Sequence, residues 1–269
     1  MPDAKAQQRR ALVTGGAAGL GYAVAERLLA MGDLVAIGDI DNASLERAAK
    51  TLNSPRLLPL SLDVTSRESA RSAVNTCAER FGGLDTLVNC AGIIDFSPLE
   101  DMTEEQWDRV LSVDLKGVFL CCQAVERLLR ESGRGRIVTI SSDAGKKGFA
   151  LISSYCAAKF GIIGFSKAIA GELAPYGTTV NCVCPVGVTA TQMGQKVLDW
   201  LQARTGQPVE TILAGREQTI PVGRMATAAD VVYAIMFFIS DEASFLTGES
   251  LDVDGGTLST SVIPGVRGA

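Results

Sequence analysis

The chain predicts a single α/β domain built on a seven-stranded parallel sheet, and three observations predict it. Short apolar runs alternate with longer amphipathic segments over residues 10–254, the rhythm of strands and helices in a parallel sheet. A glycine-rich stretch, Thr-Gly-Gly-Ala-Ala-Gly-Leu-Gly at 14–21, separates the first apolar run from the first amphipathic segment, where a strand must turn sharply into a helix. The chain has 269 residues, 47% of them hydrophobic, which suits one large core better than two small ones.

Taken in order, the apolar runs place strands at 11–14, 34–39, 57–62, 86–89, 136–141, 179–184 and 250–253, with Pro185 closing the sixth. The amphipathic stretches between them place helices at 20–31, 43–52, 66–81, 104–131, 153–175 and 227–239. After Pro185 the rhythm breaks, and residues 186–225 form an excursion of about forty residues. A segment of that length inside a compact domain is more often a lid or specificity region than a connector. The first ten residues and the tail 259–269 read as peripheral, although Val262, Ile263 and Pro264 could dock on a neighbouring subunit. No internal repeat or low-complexity tract interrupts the pattern.

Composition narrows the chemistry. There is no histidine, which excludes imidazole-dependent hydrolase triads and most catalytic zinc sites. General acid-base work therefore falls to Tyr, Lys, Asp or Glu. A net charge of −5 with no basic run argues against nucleic acid and for a small-molecule partner. Seven cysteines, an odd number without a Cys-x-x-Cys pair, read as reduced core residues of a cytoplasmic protein. Arg9 and Arg10 before an apolar stretch imitate a secretory signal, but Glu26 and Arg27 interrupt it. No apolar run approaches the length of a membrane span.

Two groups of residues carry chemistry. Glycines at 15, 19 and 21 let a pyrophosphate approach backbone amides at the positive end of the following helix. About twenty residues later Asp39 ends the second strand, where a carboxylate can accept both ribose hydroxyls of an adenosine and repel a 2′-phosphate. Asp41 adds to that field and no Arg or Lys occupies the glycine loop, so NAD is favoured over NADP. Asp63 and Val64 read equally as an adenine-edge site or as a helix N-cap. The second group is Ser142, Tyr155 and Lys159. Residues four apart on a helix share a face, so the phenol and the ammonium can converge. A phenol is useless as a neutral base until a cation lowers its pKa; lowering it by roughly three units takes about 4 kcal/mol.

The ordered set of the 14–21 loop, Asp63, Asn89-Cys90-Ala91-Gly92, Ser142, Tyr155, Lys159 and Pro185 resembles the short-chain dehydrogenase/reductase family over residues 10–256. The resemblance implies a doubly wound Rossmann-type sheet with helices on both faces, an NAD-type cofactor, and oxidoreduction of an alcohol or carbonyl. It implies Tyr155 as general acid-base, Lys159 holding the nicotinamide ribose, and Ser142 holding the substrate oxygen. It extends the cofactor set to Gly15, Ala18, Gly19, Leu20, Gly21, Asp39, Ile40, Asp63, Val64, Asn89, Ala91, Gly92, Pro185, Val188 and Thr189. A homo-oligomer, dimer or tetramer, is also implied, consistent with the apolar helices 104–131 and 153–175. Three departures stand out. Asp114 occupies the place of a catalytic asparagine, Cys90 that of the second asparagine in Asn-Asn-Ala-Gly, and Val186 separates Pro185 from Gly187.

The substrate pocket is expected from Asp143, Phe149, Leu151, Val186, Gly187 and the excursion, which mixes Val197, Leu198, Trp200 and Leu201 with Gln192, Gln195, Arg204 and Arg216. Lys146 and Lys147 could attract an anionic group or form a solvated turn. A sugar or polyol-like secondary alcohol fits best, with diol, acetoin and 3-hydroxyacyl substrates as alternatives. A catalytically silent dinucleotide-binding protein would lose the Ser-Tyr-Lys set, and an epimerase or dehydratase would need a longer C-terminal domain.

Overall fold

The structure is a computed structural model that describes residues 8–260. Its sheet has seven parallel strands in the order β3-β2-β1-β4-β5-β6-β7. They are β1 (Arg10–Thr14), β2 (Leu34–Asp39), β3 (Leu57–Ser61), β4 (Thr86–Asn89), β5 (Arg136–Ile140), β6 (Thr179–Pro185) and β7 (Ser250–Val253). The helices are α1 (Gly19–Ala30), α2 (Asn42–Leu52), α3 (Arg67–Phe81), α4 (Glu104–Leu111), α5 (Gly117–Ser132), α6 (Ser153–Leu173), α7 (Gln192–Thr205), α8 (Val209–Thr219) and α9 (Ala228–Ile239).

The central strands read as continuous apolar runs because both of their faces are covered. On one face Leu12, Leu87, Ile137 and Val180 pack with Val74, Val125 and Ile162 from α3, α5 and α6. On the other, Val13, Val35, Val138 and Val183 pack with Val24, Leu45 and Ile235 from α1, α2 and α9. The chain winds outward from β1 to β3 and then returns to place β4 beside β1. That reversal opens a crevice at the carboxyl ends of β1 and β4, where open α/β sheets bind ligands.

Local chemistry fixes the helix starts. Asp41 caps α2, Ser66 caps α3, and Thr103 and Thr227 form capping boxes with Gln106 and Asp230. The expected single helix over 104–131 is instead α4 and α5 joined by a π-helical turn, Ser112–Lys116. The excursion is not irregular, since it holds α7 and α8. Nor is the start of the chain wholly peripheral: Arg9 is buried and paired with Asp241, and Arg10 opens β1 and pairs with Asp85. Residues 262–264 of the tail lie outside the described residues. Among the described residues no helix is long and apolar enough to cross a membrane, and no cluster of potential metal ligands occurs.

Candidate active site

A cleft of about 660 Å³ runs from the glycine turn after β1, past the ends of β2 and β4, to Ser142, Tyr155 and Lys159. The turn is possible because of its glycines. Gly15 has φ +62°, and a Cβ there would stand 2.8 Å from the Ala91 backbone. A Cβ on Gly21 would stand 2.2 Å from the Gly15 carbonyl oxygen, so α1 can start against the turn only with glycine. No side chain caps α1, which leaves its first N–H groups for an external acceptor. Thr14 locks the turn to the neighbouring strand, its Oγ1 accepting the N–H groups of Cys90 and Ala91 at 3.2 Å each. This cradle, with the Asp39 carboxylate at its edge, fits a dinucleotide. Asp39 accepts the N–H groups of Ala17 at 3.3 Å and Asp41 at 3.1 Å, which fixes it at the rim. Asp63 holds the turn after β3 by accepting the Thr65 N–H at 2.9 Å and lines the same cleft; it caps no helix.

At the other end, two contacts tie β5 to α6. Ser141 donates its hydroxyl to the Lys159 carbonyl at 3.0 Å, and a Cβ on Gly145 would stand 2.8 Å from that same oxygen. This close approach sets Ser142, at the end of β5, against Tyr155 on α6. Tyr155 is 7% exposed, and burial pushes its phenol above the ordinary range. The Lys159 ammonium, 5.2 Å from the ring centre, opposes that shift, as does the nearby Ser142 hydroxyl, and the Asp114 charge adds to it. Ser142 donates to Asp143 Oδ1 at 2.8 Å and accepts the Ala144 N–H at 3.1 Å.

Asp114 lies behind the cleft wall rather than in it, fully buried. The π turn carries an extra residue per turn, a distortion frequent at functional sites, and it points Asp114 inward. One oxygen accepts the Ile93 N–H at 2.8 Å, and the other lies 3.1 Å from Lys159 Nζ. The ammonium also donates to the Ile140 carbonyl at 3.1 Å, and its contact with Asp114 Oδ2 is an ion pair that falls short of an aligned hydrogen bond. Burial pushes the Asp114 carboxyl up, against the pull of Lys159 and the Ile93 N–H. Burial also works to lower Lys159, but the Asp114 carboxylate outweighs it and holds the ammonium above its ordinary range. The 3.1 Å approach of the two groups and the raised Lys159 ammonium favour the ionised pair.

Gly15, Ala18, Gly19, Leu20, Gly21, Asp39, Ile40, Asp63, Val64, Ala91, Gly92, Pro185 and Val188 line the cleft, as do Asp143, Phe149, Val186 and Gly187. Two expected cofactor residues do not. Asn89 is buried in the sheet, its amide donating to Thr139 Oγ1 at 3.1 Å. Thr189 gives way to Thr191, which lines the cleft and caps α7. Leu151 is likewise absent from the wall, where Ala150 and Ile152 stand; its backbone is left-handed at φ +70° and its carbonyl accepts the Ser97 N–H at 2.8 Å.

The residues that sequence reasoning missed come from the loop after β4 and the start of α7. Phe96 stacks on Trp200 with ring centres 4.5 Å apart, and Met193 Sδ lies 3.9 Å from the Tyr155 hydroxyl. Ile94 and Ile152 complete this apolar wall. Lys196 fastens α7 to the loop through the Ile94 carbonyl at 2.6 Å and Asp95 at 3.3 Å. Lys146 is held by β7 through the Ser250 carbonyl at 2.9 Å and Asp252 at 3.1 Å, and Lys147 lies over the Phe149 ring. Neither presents a free charge to the cleft. Burial pushes the thiols of Cys77, Cys90, Cys121 and Cys184 up to about 12, so they are neutral packing groups.

A switch-point cleft joining a glycine turn to a Ser-Tyr-Lys cluster defines a Rossmann-type oxidoreductase. The chain belongs to the short-chain dehydrogenase/reductase family, whose members bind a nicotinamide dinucleotide and act on alcohol or carbonyl groups. A family model described as enoyl-(acyl carrier protein) reductase matches residues 15–257. The chain is 36% identical over 246 residues to 2-(S)-hydroxypropyl-CoM dehydrogenase 3 of Xanthobacter autotrophicus, covering 91% of this chain and 94% of that protein. It is 34% identical over 256 residues to D-threitol dehydrogenase of Mycolicibacterium smegmatis, covering 94% of each. A solved structure of a variant actinorhodin polyketide ketoreductase with NADPH superposes with a TM-score of 0.89 at 32% identity, covering 94% of this chain and 98% of that one.

Proposed function

We propose that the protein is an NAD-dependent dehydrogenase/reductase of a secondary alcohol or ketone, acting on a sugar or polyol-like compound. The observation that carries this reading is the convergence of Ser142, Tyr155 and Lys159 at one end of a cleft whose other end is the glycine cradle and Asp39. When bound, the nicotinamide supplies the hydride chemistry. The chain's own residues supply the proton and the position. In oxidation the Tyr155 phenolate takes the hydroxyl proton of the substrate, and in reduction the phenol returns it. Lys159 stabilises the phenolate, and Asp114 keeps Lys159 charged and in place. Because the alcohol's single hydroxyl proton goes to Tyr155, Ser142 holds the substrate oxygen, alcohol or ketone, by turning its own proton from Asp143 toward it. Asp143, beside it, suits a second hydroxyl, which supports a polyol or diol. The wall of Phe96, Met193 and Trp200 excludes water and covers the carbon skeleton.

Unpaired, buried cysteines support a reducing compartment such as the cytoplasm. Self-association, which the family resemblance implies, has a groove available between Leu111, Leu115, Phe119 and Phe165.

A screen of NAD reduction over polyols, aldoses, diols, 3-hydroxy acids and steroids tests the substrate class, and turnover confined to steroids contradicts it. Asp39 tests the cofactor. Asp39→Ala is expected to narrow the NAD-over-NADP ratio of kcat/KM by about tenfold, or about 1.4 kcal/mol, because the carboxylate both holds the ribose and repels a 2′-phosphate. An unchanged ratio removes Asp39 from that role.

A further inference from the structure

The cleft is lined by few charged residues, and all but one have their charge answered within the protein or face the adenosine end. Asp39 and Asp63 stand at the adenosine end, Lys159 is matched by Asp114, and Asp143 accepts from Ser142 and from the Ala144 N–H. The remaining charge is Arg216, on α8. The other four arginines that are not exposed, Arg9, Arg10, Arg134 and Arg136, each pair with a carboxylate. Arg216 is half-buried, like Arg10 and Arg134, yet among the described residues its guanidinium makes no hydrogen bond or ion pair. It lies against the turn after β6, its Nη2 2.7 Å from where a Cβ on Gly187 would stand. Asp143 feels its charge without reaching ion-pairing distance. A half-dehydrated guanidinium with its fork open to a cleft is the arrangement that takes a bidentate oxyanion.

We propose that Arg216 binds an oxyanion carried by the substrate, a carboxylate or a phosphate monoester near the reacting carbinol, and so selects charged secondary alcohols over neutral ones. This rests on the dehydrogenase reading and deepens it. The hydroxyl being oxidised faces Tyr155 and Ser142, and the oxyanion spans toward Gly187, where any side chain larger than glycine would push the guanidinium aside. The same geometry gives a reason for glycine at 187: the arginine occupies the space a side chain would fill.

The test compares the wild type with Arg216→Gln on a matched set: 2-butanol, 3-hydroxybutyrate and 1-phospho-2-propanol. The wild type is expected to prefer one charged member, and which one identifies the oxyanion. Arg216→Gln is expected to raise KM for that member by about 10- to 100-fold, the range for losing a hydrogen bond to a charged group, while kcat and the KM for 2-butanol change by less than about twofold. Equal losses on charged and neutral substrates, or weaker NADH binding by the variant, overturn the proposal, the latter because Arg216 would then serve the cofactor. A second arm needs no turnover. Binding of butyrate and of propyl phosphate to the NADH-saturated protein is followed by calorimetry, with propanol as the neutral control. If the wild type binds neither anion, or the variant binds them equally well, the oxyanion site is wrong. If the anion arm succeeds while no alcohol is oxidised, the dehydrogenase reading fails and the site stands.

Discussion

Tyr155→Phe is expected to lower turnover at least about a hundredfold, the lower end for losing a general acid-base, while NADH binds almost as before. The expectation follows from what the substitution leaves alone. The ring of Tyr155 is buried against Ile94, Val110 and Cys156, and phenylalanine keeps that packing. The hydroxyl makes only a long contact with Met193 Sδ, at 3.9 Å. Its loss therefore costs little stability and removes the proton donor. Without histidine, and with Lys159 engaged by Asp114 and Ile140, no neighbouring group is free to take over the proton. A loss of turnover below about tenfold, with cofactor binding intact, would remove Tyr155 from the chemistry.

The second large effect concerns Asp114. Asp114→Ala leaves Lys159 charged and buried without its counter-ion and strips the Ile93 N–H of its acceptor. Breaking a buried pair by deleting one partner costs about 3–5 kcal/mol, so the midpoint of chemical denaturation should fall steeply. Asp114→Asn separates the two roles of this carboxylate, because the amide oxygen can still accept from Ile93 while the negative charge is gone. It should keep most of the stability. Its pH dependence should move in a defined direction. Burial holds the Tyr155 phenol high and the Asp114 charge raises it further, so removing that charge lowers the phenol pKa. Oxidation needs the phenolate, and its rate should therefore rise at lower pH in Asp114→Asn than in the wild type. An unmoved profile would mean that the carboxylate matters only as a bracket for Ile93.

How much of this was legible in the sequence depended on whether the signal was local. The seven strands were readable within a residue or two; the central ones are unbroken apolar runs because both of their faces are buried, whereas the edge strands β3 and β7 are only partly covered. The glycine turn and the Tyr155 and Lys159 spacing were readable because each lies within one turn or one helix face, and Ser142 because it follows the fifth apolar run directly. The break between α4 and α5 was not. A π turn inserts one residue without changing the amphipathic pattern enough to register, and its cause is tertiary: Asp114 turns in to meet Ile93 and Lys159. Asn89 misled for the opposite reason. It sits beside the cleft residues in sequence, but strand alternation sends its side chain into the sheet toward Thr139. Phe96 and Met193 were invisible because they meet the site only after the loop following β4 packs against α7. Arg9 looked peripheral by position, although an aspartate 232 residues away buries it.

The most direct test of the central claim follows the hydrogen itself. A secondary alcohol turned over in the screen is prepared with deuterium on its carbinol carbon and incubated with NAD and the wild-type protein in ordinary water. The deuterium is expected to appear on the reduced nicotinamide, and Tyr155→Phe, loaded with NAD to the same extent, to transfer it at least about a hundredfold more slowly. Reduced nicotinamide carrying only solvent hydrogen, or equal transfer rates for the two proteins, would contradict it.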